Sequence, residues 1–279
     1  MKRIFLIVLT AIFSCSFGQI SKFGAPKIRK KQEVPVEFTR NDGTTFKALL
    51  MAPKDNKGED KSYMIEALYD EFEYKMSADS KKEKIAAKEI KGVKFLEQDD
   101  DESLGMERLK LKTMNVKGEL VDKAYDDFAP LLYDGKIKIY GSNVVSCYEG
   151  GTGCQYLYTK IYLKNRNSNY AIAPLDYDRI NLFNISSIDD KMFAALKAAG
   201  NNCENFNKYL DGVIVQSKNK AFREEMKKTG MAYYKEAFKV GKEQKLSARQ
   251  TQELLGSNMM QLYLNFYGGF VREYEKNCP

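Results

Sequence analysis

Two pairs of carboxylates, Asp126 with Asp127 and Asp176 with Asp178, have the side-chain type for acid–base chemistry. Glycoside hydrolysis needs two such groups about 5–10 Å apart across a cleft, one to donate a proton and one to attack or to activate water. Spacing along a chain sets no such distance, and 38 acids offer many pairs. The chain has no His, which closes off imidazole bases, Ser/His/Asp and Cys/His nucleophile systems, and metal sites built on an imidazole ligand.

Two further motifs fail on placement. Ser217-Lys218-Asn219-Lys220 has the S-x-x-K form and Lys228-Thr229-Gly230 the K-T-G form of penicilloyl-serine enzymes. In such a site the second motif faces the nucleophile from a distant strand, whereas here eight residues separate Lys220 from Lys228, on what reads as one helix. Asp99-Asp100-Asp101-Glu102 offers hard oxygen ligands, but calcium loops alternate their ligands so that the side chains converge, and four consecutive acids point apart. No catalytic residue, metal ligand or cofactor is assigned on these grounds. A carboxylate- or Tyr-dependent hydrolase acting on envelope glycans or peptides stays as the alternative reading.

Tyrosines and cysteines cluster together. Tyr148, Tyr156, Tyr158 and Tyr162 surround the segment CYEGGTGC, and the last three fall on one parity, hence on one face of a strand that has no bulge. They are the candidate binding residues. Cys147 and Cys154 flank the same glycine turn, which can bring one strand back against the next and pair them locally. Cys203 and Cys278 then pair by elimination. On the chain-entropy account the short loop contributes about 2.5 kcal/mol and the long one about 4.

The disulfide reading depends on compartment. Residues 1–18 begin with Lys2 and Arg3, continue with an apolar run from Ile4 to Phe13 and end in Ser14, Cys15, Ser16, Phe17 and Gly18. This is the pattern of a secretory signal peptide, cut between Gly18 and Gln19, and its apolar run is about half the roughly 20 residues that a membrane span requires. The mature chain is expected to have no transmembrane span. An alternative places a lipid on Cys15, making the protein a lipoprotein subunit of an outer-membrane assembly. Either way export favours disulfides.

The formal net charge of +7 comes from the beginning of the chain. Residues 1–31 hold seven Lys and Arg and no acid, which leaves residues 32–279 with 38 bases and 38 acids. A neutral body has no basic excess to track a phosphate backbone, so nucleic acid is not the expected partner. An envelope protein or a small ligand is.

These side chains are positioned by two kinds of element. From Glu33 to Leu175 the sequence runs in short alternating segments, opening with a hairpin whose turn carries Asp42-Gly43. The segments around GKIKIYGSNVVSCY and CQYLYTKIYLKN form the clearest hairpin. KGELVDKAYDDFAPLLYDG is expected to hold a short helix ending before Pro130. After residue 175 the period becomes helical. One helix covers DDKMFAALKAA, and a second covers CENFNKYL and ends at Asp211-Gly212. A third starts near Lys218 with Phe222, Met226, Tyr233 and Ala237 on one face. A fourth opens with a Ser247/Gln250 capping box and aligns Leu255, Met259, Leu262 and Phe266.

The expected architecture is α+β, a β-rich N-terminal part followed by a helical C-terminal part. Its segments are a signal peptide (1–18), a basic flexible tail (19–32), a β-rich domain (33–175) and a helical domain (176–279). The leader, its Ser-Phe-Gly ending before Gln19, and the Lys-, Asn- and Tyr-rich body resemble exported proteins of the Bacteroidota. That resemblance implies a periplasmic or secreted location. The functional expectation is a non-enzymatic binding or interaction protein of the bacterial envelope.

Overall fold

The computed structural model describes residues 33–51, 71–96, 105–115, 117–147, 154–175, 188–201 and 203–278. The leader and basic tail, Tyr148, Asp99 to Glu102, Asp176 and Asp178 lie outside them.

The chain is α+β, with its strands in the N-terminal and central part and its helices in the C-terminal part. Ten strands make one sheet: β1 (Glu33–Arg40), β2 (Thr45–Met51), β3 (Glu71–Lys75), β4 (Lys82–Ala86), β5 (Ile90–Phe95), β6 (Met106–Met114), β7 (Leu120–Tyr133), β8 (Ile137–Cys147), β9 (Cys154–Asn165) and β10 (Ala171–Ala173). The order is β10-β9-β8-β7-β6-β5-β1-β2-β3-β4. β10 pairs antiparallel with β9 and parallel with β6, so β6 to β10 close on themselves as a five-stranded barrel. The remaining five strands continue the sheet from β6.

The β1–β2 hairpin forms as its sequence dictates. Gly43 takes φ +86°, and the Asp42 carboxylate accepts from the backbone N–H and the hydroxyl of Thr44. Alternation along β1 buries Val34, Val36 and Phe38, which meet Phe72, Tyr74, Ile90, Phe95 and Phe128 in an aromatic core of their own. The Phe38 ring lies 5.2 Å from that of Phe46 and 5.8 Å from that of Tyr74.

β7 corrects the helix expected before Pro130. Residues 120–133 are one extended strand paired with β6, with Met106 opposite Pro130 and Leu109 opposite Asp127. The N–H of Leu131 points to β6 and donates to Gly105 O at 2.8 Å, so the nitrogen of Pro130 points the other way. β8 pairs with β7 only from Leu131 onward, and the missing donor interrupts no ladder.

Four α-helices follow among the described residues: α1 (Ile188–Ala199), α2 (Glu204–Ser217), α3 (Lys220–Glu243) and α4 (Ala248–Asn277). α2 does not stop at Asp211-Gly212. It runs one and a half turns further because Phe206, Leu210 and Val213 form one buried stripe across that glycine. α4 starts with the capping box anticipated at Ser247 and Gln250. No helix of the described residues is long and apolar enough to cross a membrane.

α1, α2 and α4 cover the outer face of the barrel. Ile137, Ile139, Ile161, Leu163 and Ile172 from the strands pack there against Phe193, Leu196, Phe206, Leu210, Met260, Tyr267 and Val271. The helices therefore share their core with β6 to β10, and the aromatic core of β1 to β5 is the separate one. α3 sits outermost, packed on α4 through Ala237 and Val240.

The end of α4 is fixed to the body. Cys278 is disulfide-bonded to Cys203 at the start of α2, with Cα atoms 6.1 Å apart. One turn earlier, the Glu275 carboxylate accepts from Tyr133 OH and from the Lys136 N–H, both at 2.9 Å. The β8–β9 register sets Cys147 opposite Cys154, but the side chains of that pair lie outside the described residues.

Candidate functional site

Side chains on β6 to β9 that face away from the helices enter the barrel. Leu109, Leu111, Ala129, Leu131, Tyr140, Tyr162, Ala171 and Ala173 fill its middle. Strand parity carries the same inward face to Glu107 on β6, Lys138 on β8 and Lys164 on β9, at one end of the barrel.

Glu107 is the hub of that end. Its Oε1 accepts from Lys138 Nζ at 2.7 Å, its Oε2 from Tyr140 OH at 2.7 Å, and Lys164 Nζ stands 3.8 Å from Oε2. Lys138 also lies 3.8 Å from Asp134, which pairs with Arg166 at 2.7 Å. Burial is the largest influence on the Glu107 carboxyl and pushes its pKa up. The hydrogen bonds from Lys138 and Tyr140 and the charges of Lys138 and Lys164 together outweigh it, so Glu107 titrates below its ordinary range. Burial lowers the pKa of Lys164, and Lys138 and Lys91 add to that against the opposing pull of Glu107. Tyr140 is pushed up by burial first and by the Glu107 charge second, and stays a phenol.

Each oxygen of the carboxylate accepts one hydrogen bond, from Lys138 and from Tyr140, and the phenol is spent on that same carboxylate. Glu107 and Asp134 face Lys138, Lys164 and Arg166, and the contacts of Glu107 tie β6 to β8 and β9.

The other residues singled out in the sequence disperse. Asp126 and Asp127 are successive strand residues and point to opposite faces: Asp126 pairs with Arg108 outside, whereas buried Asp127 accepts from Tyr162 OH at 2.6 Å inside. They form no cleft-spanning pair. Ser217 ends α2 with its hydroxyl on Ile214 O, and Lys228, Thr229 and Gly230 lie in the middle of α3, so the two motif fragments share no site.

The tyrosine platform is also corrected. The β8–β9 register shifts between Val144 and Val145, which face Tyr158 and Tyr156 with Leu157 left over as a bulge. The extra residue turns Tyr156 to the helix side, where its N–H donates to Gln252 of α4 and its hydroxyl meets Thr159 at 2.8 Å. Tyr158 and Tyr162 go to the barrel side, and Tyr162 is only 1% exposed. Tyr162 is core, and Tyr156 and Tyr158 are partly buried on opposite faces, so the three do not share one face.

Exposed large apolar side chains occur singly elsewhere among the described residues, at Met76, Leu96, Tyr125, Leu157 and Val215, and line up in a row on the outer side of α3. Met231, Tyr234 and Phe238, spaced i, i+3 and i+7, are 47%, 46% and 38% exposed, and the two rings lie 4.8 Å apart. Sequence reasoning aligned the inner face of this helix through Tyr233 and Ala237. The outer stripe was visible at the same spacing, interleaved with lysines.

No protein family, curated protein or solved structure matches the chain.

Proposed function

We propose that this protein is exported to the bacterial envelope and acts there by binding rather than by catalysis, with α3 as its working surface. The observation that carries the reading is the contrast in how polar and apolar groups are used. The ionisable groups at the barrel end satisfy one another, while a helix held out from the body exposes three large apolar side chains in one row. Surface apolar residues gathered in a row mark interaction sites more often than singly scattered ones. The disulfide and the Glu275 contacts hold α4, and α4 holds α3, so the row is presented from a rigid base. Export is supported by the leader of residues 1–18 and by the cysteine pairing.

The test is photocrosslinking in the native host from position 234, with position 76 as the control because Met76 is also exposed and lies in the β1–β5 half. The reading predicts a reproducible covalent adduct from position 234 and none from position 76. Equal yields from both sites, or capture from position 76 alone, would remove α3 as the working surface.

A further inference from the structure

From the arrangement of charge around this row we infer that α3 docks on an anionic lipid bilayer, lying in the headgroup plane. The inference rests on α3 being the working surface and names its partner.

The charges of α3 are segregated. At about 100° per residue, Met231, Tyr234 and Phe238 share a sector of roughly 160° with Lys220, Arg223, Lys227, Lys228, Lys235, Lys239 and Lys242. One acid, Glu224, falls in that sector. The other three glutamates of the helix, Glu225, Glu236 and Glu243, lie beyond its edge, and Ala237 and Val240 face α4. All seven cationic side chains are exposed, and among the described residues none of the six lysines makes an ion pair. The body as a whole carries equal numbers of acids and bases, so this excess is local.

A row of aromatic and thioether side chains flanked by lysines is the pattern of an interfacial helix. The rings enter the headgroup boundary, and the long lysine stems lie along apolar surface with their ammonium groups at the phosphates. A protein partner is less well matched. Protein interfaces deplete Lys and favour Arg, and six of the seven cations here are Lys. The surface is also the convex side of a single helix, which suits a plane better than a knob.

The test uses the chain from Gln19, which keeps every core residue among the described ones, the first being Val34. The chain contains no Trp, so Phe238→Trp places a single reporter in the row. Its emission is followed against phosphatidylethanolamine vesicles with and without phosphatidylglycerol, alongside flotation of the unsubstituted chain. The inference predicts a blue shift and co-flotation only with phosphatidylglycerol, both reversed by salt. Lys235→Glu with Lys239→Glu lowers vesicle affinity about tenfold or more, and Tyr234→Ser with Phe238→Ser does likewise. Neutralising Lys22, Lys27, Arg29, Lys30 and Lys31 to Gln leaves the blue shift in place.

Absence of vesicle binding, or binding lost with the tail substitutions but kept in the α3 variants, overturns the inference. So does a dimer in light scattering that the α3 variants abolish, because the row is then covered by a second copy. If position 234 captures a protein in cells while vesicles give no shift, the lipid inference falls and the α3 reading stands. If position 234 captures nothing and vesicles give no shift, both fall.

Discussion

The barrel end and the outer side of α3 are both rich in lysine, and they use it in opposite ways. Lys138 and Lys164 are about 20% exposed and spend their charge on Glu107 inside the molecule. The lysines of α3 stand in solvent. Charge at the barrel end ties strands together, whereas among the described residues the lysines of α3 make no ion pair. The difference follows from geometry: closing the barrel brings inward-facing side chains from three strands to one point, while a helix packed on one neighbour turns most of its circumference outward.

That contrast can be broken or sharpened by substitution. The largest effect belongs to the base that holds the helices. Replacing Cys203 and Cys278 with Ser opens a 75-residue crosslink and is expected to cost about 4 kcal/mol, read as a thermal midpoint below that of the wild type without reductant. Equal midpoints with and without reductant would show that α4 is held by packing alone.

Glu107→Ala leaves Lys138 and Lys164 half-buried without their acid. A loss of about 2 kcal/mol in urea unfolding is expected, less than for a fully buried pair because the cluster is partly solvated. The pH profile follows from the same residue. The folded carboxyl titrates below its unfolded value, near 4.5, so its contribution is complete above that value and is lost as pH falls through the lowered folded one. Glu107→Gln should flatten the acid limb of stability, and an unchanged limb would assign acid sensitivity elsewhere.

A smaller effect is expected at Gly256 on α4, where a methyl group would come 3.1 Å from Cγ of buried Asn143 on β8. Gly256→Ala should cost about 1 kcal/mol by forcing the helix off the strand. The smallest effects belong to α3. Lys235→Glu with Lys239→Glu, and Tyr234→Ser with Phe238→Ser, should leave stability within about 0.5 kcal/mol per site, since these side chains face solvent.

Much of the fold is legible in the residues. The Asp42-Gly43 turn, the alternation of β1, the long β8–β9 hairpin and the Ser247 capping box are local signals, and each forms where its sequence places it. The Cys203–Cys278 bond was reachable by elimination. The barrel was not, because it closes through β10, three residues long, which pairs with a strand some sixty residues earlier; no local pattern announces a contact of that range. Without closure, Lys138 and Lys164 read as the solvated side of a hairpin and Glu107 as an ordinary strand acid. Tyr156 leaves the face shared by Tyr158 and Tyr162 because of one bulged residue, Leu157, which reverses the parity of the described residues of β9 before it. Pro130 misled in the same way, since a proline suggests a helix end unless its nitrogen is known to face an unpaired side.

The measurement that bears most directly on the contrast compares Glu107→Gln with Lys235→Glu/Lys239→Glu, each assayed for urea midpoint and for crosslinking yield from position 234 in cells at a temperature where both are folded. The account predicts that Glu107→Gln lowers the midpoint and keeps the yield, while the α3 pair keeps the midpoint and loses the yield. The opposite pattern, with Glu107→Gln abolishing capture at unchanged stability and the α3 pair capturing normally, would place the working site in the barrel.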